Sequence, residues 1–245
     1  MKEYIVLDKW TQSELEHILH ESSEIKDIGA RINFLSRLFL DVGYKESTLT
    51  GNINTPEVFI INLPGVDCFT FIDYIEAMRL SSSFPEFREN LKKVRYREEN
   101  ITFENRNHFF TDWREFNSEF VDDVTSNIGS QKTKNITKTL NRKEDGTHFL
   151  QGVQPRQRKI QYIPSGAIDD SVVDKIKTGD YAGIYSEIQG LDVSHAGIII
   201  KDRDLIYLRH ASSRYKKVID EGFRNYISNK PGLIVLRPKV LLRSS

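Results

Sequence analysis

The hydrophobic pattern of this chain changes period partway along its length, and that change limits the folds available. Early segments repeat their apolar residues at helical spacing. Thr11 followed by Glu14 reads as a capping box opening a helix through Leu19. Residues 28–40 place Ile28, Ile32, Leu35 and Phe39 on one face, and residues 67–80 do the same with Phe71, Ile72, Ile75 and Met78. Residues 84–94 predict a further helix followed by a strand-like stretch at 94–97. Residues 113–128 predict one long helix carrying Trp113, Phe116, Phe120, Val121, Val124 and Ile128. Another helix is expected after Pro164, ending before Gly179. The C-terminal part is instead strand-like at 181–188, 193–200, 205–209 and 233–236, and an isolated strand is expected at 57–62. Helices first and strands later specify an α+β fold with a mainly antiparallel sheet. No linker divides the chain, so one catalytic-size domain over 1–245 is expected, with a helical part to about residue 55 and a core from about 56. Its basic stretch, 132–143, reads as a solvated loop or hairpin.

Lys plus Arg and Asp plus Glu both number 35, so the formal charge is zero, which speaks against nucleic acid or an anionic membrane as a dominant partner. No apolar run approaches the ~18 residues of a membrane span. The first ten residues are charged and lack a signal-peptide core. The chain as written is therefore expected in the cytoplasm, or in the periplasm or envelope if a leader has been removed. The single cysteine, Cys68, excludes internal disulfides and multi-cysteine metal sites. The G-x-S-x-G, Walker, dinucleotide-binding and H-E-x-x-H motifs are all absent.

One thiol and six histidines remain. Asp67 is a good N-cap, so Cys68 falls in the first turn of a helix, where free amides and the helix dipole favour a thiolate. In DVSHAGIIIKDRDLIYLRHASS, a turn centred between Asp202 and Arg203 pairs Ile200 with Leu205 and His195 with His210. Directly opposed residues hold their Cβ atoms ~5 Å apart on one face. A one-residue slip would separate them onto opposite faces. With that register, one imidazole can take the Cys68 proton while the other fixes its tautomer. Arg106-Asn107-His108-Phe109-Phe110-Thr111-Asp112-Trp113 mixes aromatics with directional polar groups. His17 and His20 read as an exposed helix face and His148 as loop.

These residues resemble a known family. Asp67-Cys68 opening a helix, Gly179-Asp180 entering a strand, Ser194-His195-Ala196-Gly197 and His210-Ala211-Ser212 look like the NlpC-type, papain-like cell-wall cysteine hydrolases. The segment 106–113 and LDVSHAGI narrow the likeness to the N-acetylmuramoyl-L-alanine amidase-like family. The resemblance spans residues 59–213. It implies a papain-like core with the nucleophile helix packed on the sheet, and catalytic roles for Cys68 (nucleophile), His195 (base) and His210 (orienting). It implies muropeptide substrates, cut between N-acetylmuramic acid, often in its anhydro form, and L-Ala, through a thioester. Asn107, His108, Trp113 and Arg106, with a weaker case for Tyr96 and Arg97, are the expected substrate contacts. No metal or cofactor is required. The rival readings are an acyltransferase, a peptidase cutting within the stem peptide, a three-ligand zinc site, and a non-catalytic muropeptide-binding module.

Overall fold

The computed structural model describes residues 3–7 and 9–240. It begins with β1 (Glu3–Val6), α1 (Gln12–Ser23) and α2 (Ile28–Arg37). Thr11 and Glu14 close the expected capping box on α1, and Asp27 caps α2 through the Ala30 amide. After β2 (Gly43–Tyr44), β3 (Phe59–Asn62) and β4 (Gly65–Val66) come α3 (Cys68–Arg79) and α4 (Phe84–Arg95). Then follow α5 (Phe110–Phe116), β5 (Val121–Asp123), α6 (Thr125–Gly129), β6 (Lys134–Leu140), β7 (Arg156–Pro164) and α7 (Asp170–Val173). The chain ends in β8 (Tyr181–Tyr185), β9 (Val193–Asp202), β10 (Leu205–Ser212), β11 (Lys217–Gly222), α8 (Phe223–Ser228) and β12 (Gly232–Pro238).

The fold is α+β with a mainly antiparallel sheet, in the order β4-β2-β11-β10-β9-β8-β12-β7-β6. The β2–β4 pair is parallel, as is the separate β1–β3 pair. Both faces of the sheet are covered. Ile198 and Ile200 pack with the helices α1 to α5, whereas Ile199, Leu208 and Leu233 pack with α7 and α8. This explains the near-continuous apolar runs of the C-terminal strands, which a one-faced sheet would not produce. Among the described residues no helix is long and apolar enough to cross a membrane.

Helix α3 is buried on every side from Thr70 to Arg79, so its charged residues lie inside the protein. Each is paired, as an interior charge must be. Asp73 bonds Arg95, and Glu76 bonds both Arg79 and the Tyr181 hydroxyl.

Three expectations are corrected and one holds in part. The long helix at 113–128 is broken into α5, β5 and α6, because β5 pairs with the end of β12 and takes Val121 into the sheet. Residues 94–97 form no strand. Tyr96 makes only an isolated bridge to Arg106, and the backbone then turns through positive φ at Glu98 and Glu99. The basic stretch takes the hairpin alternative, β6 pairing antiparallel along its whole length with β7 and staying largely accessible, but Lys138 is not solvated: it is buried with its Nζ donating to the carbonyls of Ser186, Ile188 and Leu191. The helix after Pro164 is reduced to α7, and β11 and α8 are elements the sequence pattern did not reveal.

Candidate active site

Cys68 opens α3. Asp67 Oδ1 accepts from the amides of Phe69 and Thr70, and Thr70 Oγ1 accepts in return from the Asp67 amide. The thiol is half-buried and lies near the backbone amides of Ala196, Cys68 and Phe69. These amides favour the thiolate, but burial and the neighbouring Asp67 carboxylate outweigh them and push the thiol up to about 12. The expectation that the helix start favours the thiolate therefore fails here, in part because the capping group itself carries a negative charge.

The histidines come from β9 and β10, in a register two residues from the expected one. The turn is Arg203-Asp204, so Leu205 pairs with Asp202 and Tyr207 with Ile200. His195 and His210 are thus diagonal neighbours, not directly opposed. A two-residue shift preserves the face where a one-residue shift would have destroyed it. Ser194 is bulged, since Val193 and His195 pair with the consecutive residues Tyr185 and Ile184. Gly197 makes room for His210: a Cβ there would lie 3.0 Å from the His210 Cβ and 2.8 Å from Leu208 Cδ1.

His195 Nε2 and His210 Nδ1 are 2.7 Å apart, and the rings stand at 88° to one another. His210 Nε2 lies 3.1 Å from Glu221 Oε2 on β11. Burial lowers both imidazoles, His195 to about 3, with positive neighbours adding to the effect, so both rings are neutral at pH 7. These contacts fix the tautomers. The Glu221 carboxylate accepts, so His210 donates from Nε2 and presents Nδ1 as an acceptor. His195 must then donate from Nε2, which leaves its Nδ1 unprotonated and able to receive a proton. Glu221, which the sequence offered no signal to select, therefore governs the state of a histidine it does not touch. The ring of Tyr226 packs on both imidazoles, 6.3 Å from His195 and 5.2 Å from His210 between centroids.

The nitrogen pair does not suit a shared zinc ion. Two ligand atoms of a tetrahedral zinc lie about 3.3 Å apart with their lone pairs converging on the metal. Here they face each other across a hydrogen bond.

Two cavities meet at His195 and Ser194. One, of about 230 Å³, is lined by Cys68 with Phe69, His108, Phe109, Phe149 and Leu191 among others, and is mostly apolar. The other, of about 570 Å³, lies on the α8 side of the sheet beside both histidines, Glu221 and Tyr226, and is polar. Helix α3 packs against the opposite face, so Cys68 reaches β9 near its start, at Ala196. Cys68 and His195 line the same cavity, and among the described residues no hydrogen bond joins them. Such contacts commonly tighten only when substrate binds.

The remaining expected contacts separate into two groups. His108 stands at the apolar cavity and at an adjoining hollow of about 210 Å³ that Arg97, Arg106 and Arg156 also line. Its Nε2–H donates to the Phe103 carbonyl at 2.7 Å, and burial, with nearby Arg106 and Arg97, lowers it to about 4. Its Nδ1 is thereby an acceptor. Trp113, Tyr96 and Asn107 are corrected: all three are buried away from the cavities. Trp113 donates from Nε1 to Asp73 at 2.9 Å and lies against Phe110 and Tyr181. The Tyr96 hydroxyl donates to Glu57, which also binds Arg106, and Asn107 Nδ2 donates to the Val94 carbonyl. Asp192, not selected from sequence, accepts from the Thr111 amide and hydroxyl and so caps α5 at the cavity edge. His17 and His20 are exposed on α1.

Fold and site together define a mixed α+β protein whose thiol and imidazole pair border adjoining apolar and polar cavities. The profile of the AmiA-like, N-acetylmuramoyl-L-alanine amidase-like family matches residues 34–233, and the chain belongs to that family. An N-acetylmuramoyl-L-alanine amidase from Bacteroides uniformis is similar in structure, with a TM-score of 0.72 at 27% identity, covering 87% of this chain and 99% of that one. A Legionella pneumophila protein superposes with a TM-score of 0.80 at 22% identity, over 93% of this chain and 94% of that one, a likeness of fold alone. Among curated proteins none matches the chain.

Proposed function

We propose that this protein is a cysteine amidase of peptidoglycan fragments, built on a papain-like core of the NlpC type, that cuts between (anhydro-)N-acetylmuramic acid and L-Ala. The observation that carries the reading is the hydrogen-bonded series Glu221–His210–His195, which leaves Nδ1 unprotonated on an imidazole that lines the same cavity as Cys68. Membership of the amidase-like family supports the choice of bond.

The resting pair is neutral, a thiol beside an unprotonated imidazole, so proton removal accompanies attack. Cys68 adds to the lactyl carbonyl as its proton passes to His195. His195 then protonates the departing amine of L-Ala, and water activated by the same imidazole clears the thioester. The backbone amides near the sulfur are candidates to stabilise the oxyanion, one such donor being worth ~3 kcal/mol in the transition state.

The test is mass analysis of the products released from purified anhydro-muropeptides by the wild-type protein and Cys68→Ala. Intact stem peptide bearing a free L-Ala amine is expected from the wild type alone. Fragments cut within the peptide would indicate a peptidase, and a thioester persisting until an amine is supplied would indicate an acyltransferase. Release at an undiminished rate by Cys68→Ala removes the thiol from the mechanism.

A further inference from the structure

The polar cavity holds more than the catalytic pair requires. Beyond His195, His210 and Glu221 it is lined by Lys230, Arg214, Asn225, Asn229 and Ser212, with Tyr226 as one wall. Lys230 is half-buried, with its Nζ 4.9 Å from the Tyr226 ring centroid, and Arg214 lies against Tyr215. Among the described residues neither cation has a carboxylate partner, although Glu221 lines the same cavity; that carboxylate is engaged by His210. Among the described residues several other cations are paired with carboxylates, including Arg95, Arg106, Arg209 and Arg237. Two cations without a carboxylate partner line one concavity, which favours an anion there.

The chemistry decides which half of the substrate lies there. The acyl half stays bonded to sulfur and must occupy the cavity that Cys68 lines. The leaving amine must be protonated by His195, the residue the two cavities share, so the leaving half extends past the imidazoles. Resting on the amidase reading above, we propose that the polar cavity is the leaving-group subsite and that Lys230, assisted by Arg214, binds a carboxylate of the departing peptide. The sugar-bearing acyl half then lies in the smaller cavity, whose phenylalanines offer faces for a pyranose ring.

The experiment compares synthetic N-acetylmuramoyl-L-Ala-D-Glu with the same compound carrying both glutamate carboxylates as amides, in the wild-type protein, Lys230→Met and Lys230→Arg. The wild type is expected to prefer the free acid in kcat/KM, and Lys230→Met to bring the ratio of the two substrates close to one. A charge-assisted hydrogen bond of this kind changes the ratio about tenfold to a hundredfold. The loss should fall on KM, since the carboxylate is remote from the reacting bond. Lys230→Arg should restore most of the preference. An equal loss on both substrates in Lys230→Met would place the lysine's influence on the imidazoles alone and overturn the subsite, as would an unchanged ratio. Failure of the wild type to release peptide from either compound would instead remove the amidase reading, and the subsite with it.

Discussion

The β9–β10 hairpin and the segment from Arg106 to Trp113 contain the same kinds of residue, histidines and aromatics among directional polar groups, yet they do different work. In the hairpin the side chains meet because backbone pairing sets them beside each other. The segment around Trp113 is distributed by packing: His108 reaches a cavity, while Asn107 and Trp113 turn inward to hold α4 and α3. Aromatic content therefore says little about exposure, whereas register on a sheet says a great deal about adjacency.

Substitutions can break this contrast. The largest effect is expected for Cys68→Ala, which should reduce peptide release by at least ~10⁴-fold while its thermal melting stays near wild type. Trp113→Ala should do the reverse. Loss of a fully buried indole costs about 3–5 kcal/mol, to be read as a fall in the urea midpoint, and activity per folded molecule should survive below the transition. Wild-type stability with lost activity in Trp113→Ala would return that indole to the substrate groove. Glu221→Ala lies between the two: losing the group that fixes the histidine tautomers should lower kcat about tenfold to a hundredfold with little change in KM.

The smallest effect concerns pH. Burial lowers His108 to about 4, below the ~6.5 of an unfolded histidine. The unfolded chain therefore binds this proton first as pH falls. The stabilising contribution is complete above pH ~6.5 and is lost progressively down to about pH 4, with a slope of at most ~1.4 kcal/mol per pH unit. Chemical denaturation of His108→Gln across that window should show a shallower decline than the wild type. His195 acts in the same direction and over a window reaching about pH 3.

The caps at Thr11 and Asp67, the helix–strand order and the hairpin were legible because each is a rule about neighbours within a few residues or across one turn. The histidine register was misjudged by two because the chain turns at Arg203-Asp204, where Arg203 takes a positive φ that a residue-type reading does not anticipate. The pairing survived the error in kind, since side chains alternate with period two.

The amino-acid order alone determined an α+β chain with one thiol at a helix start and two imidazoles on a common sheet face. Tertiary structure decided the rest: Glu221 as the third link behind them, the neutral state of thiol and base, the two cavities, and the inward turn of Trp113, Tyr96 and Asn107. Capping and strand alternation are enforced by local hydrogen bonds. Burial, desolvation and contact with β11 depend on residues distant in the chain, which no local pattern encodes.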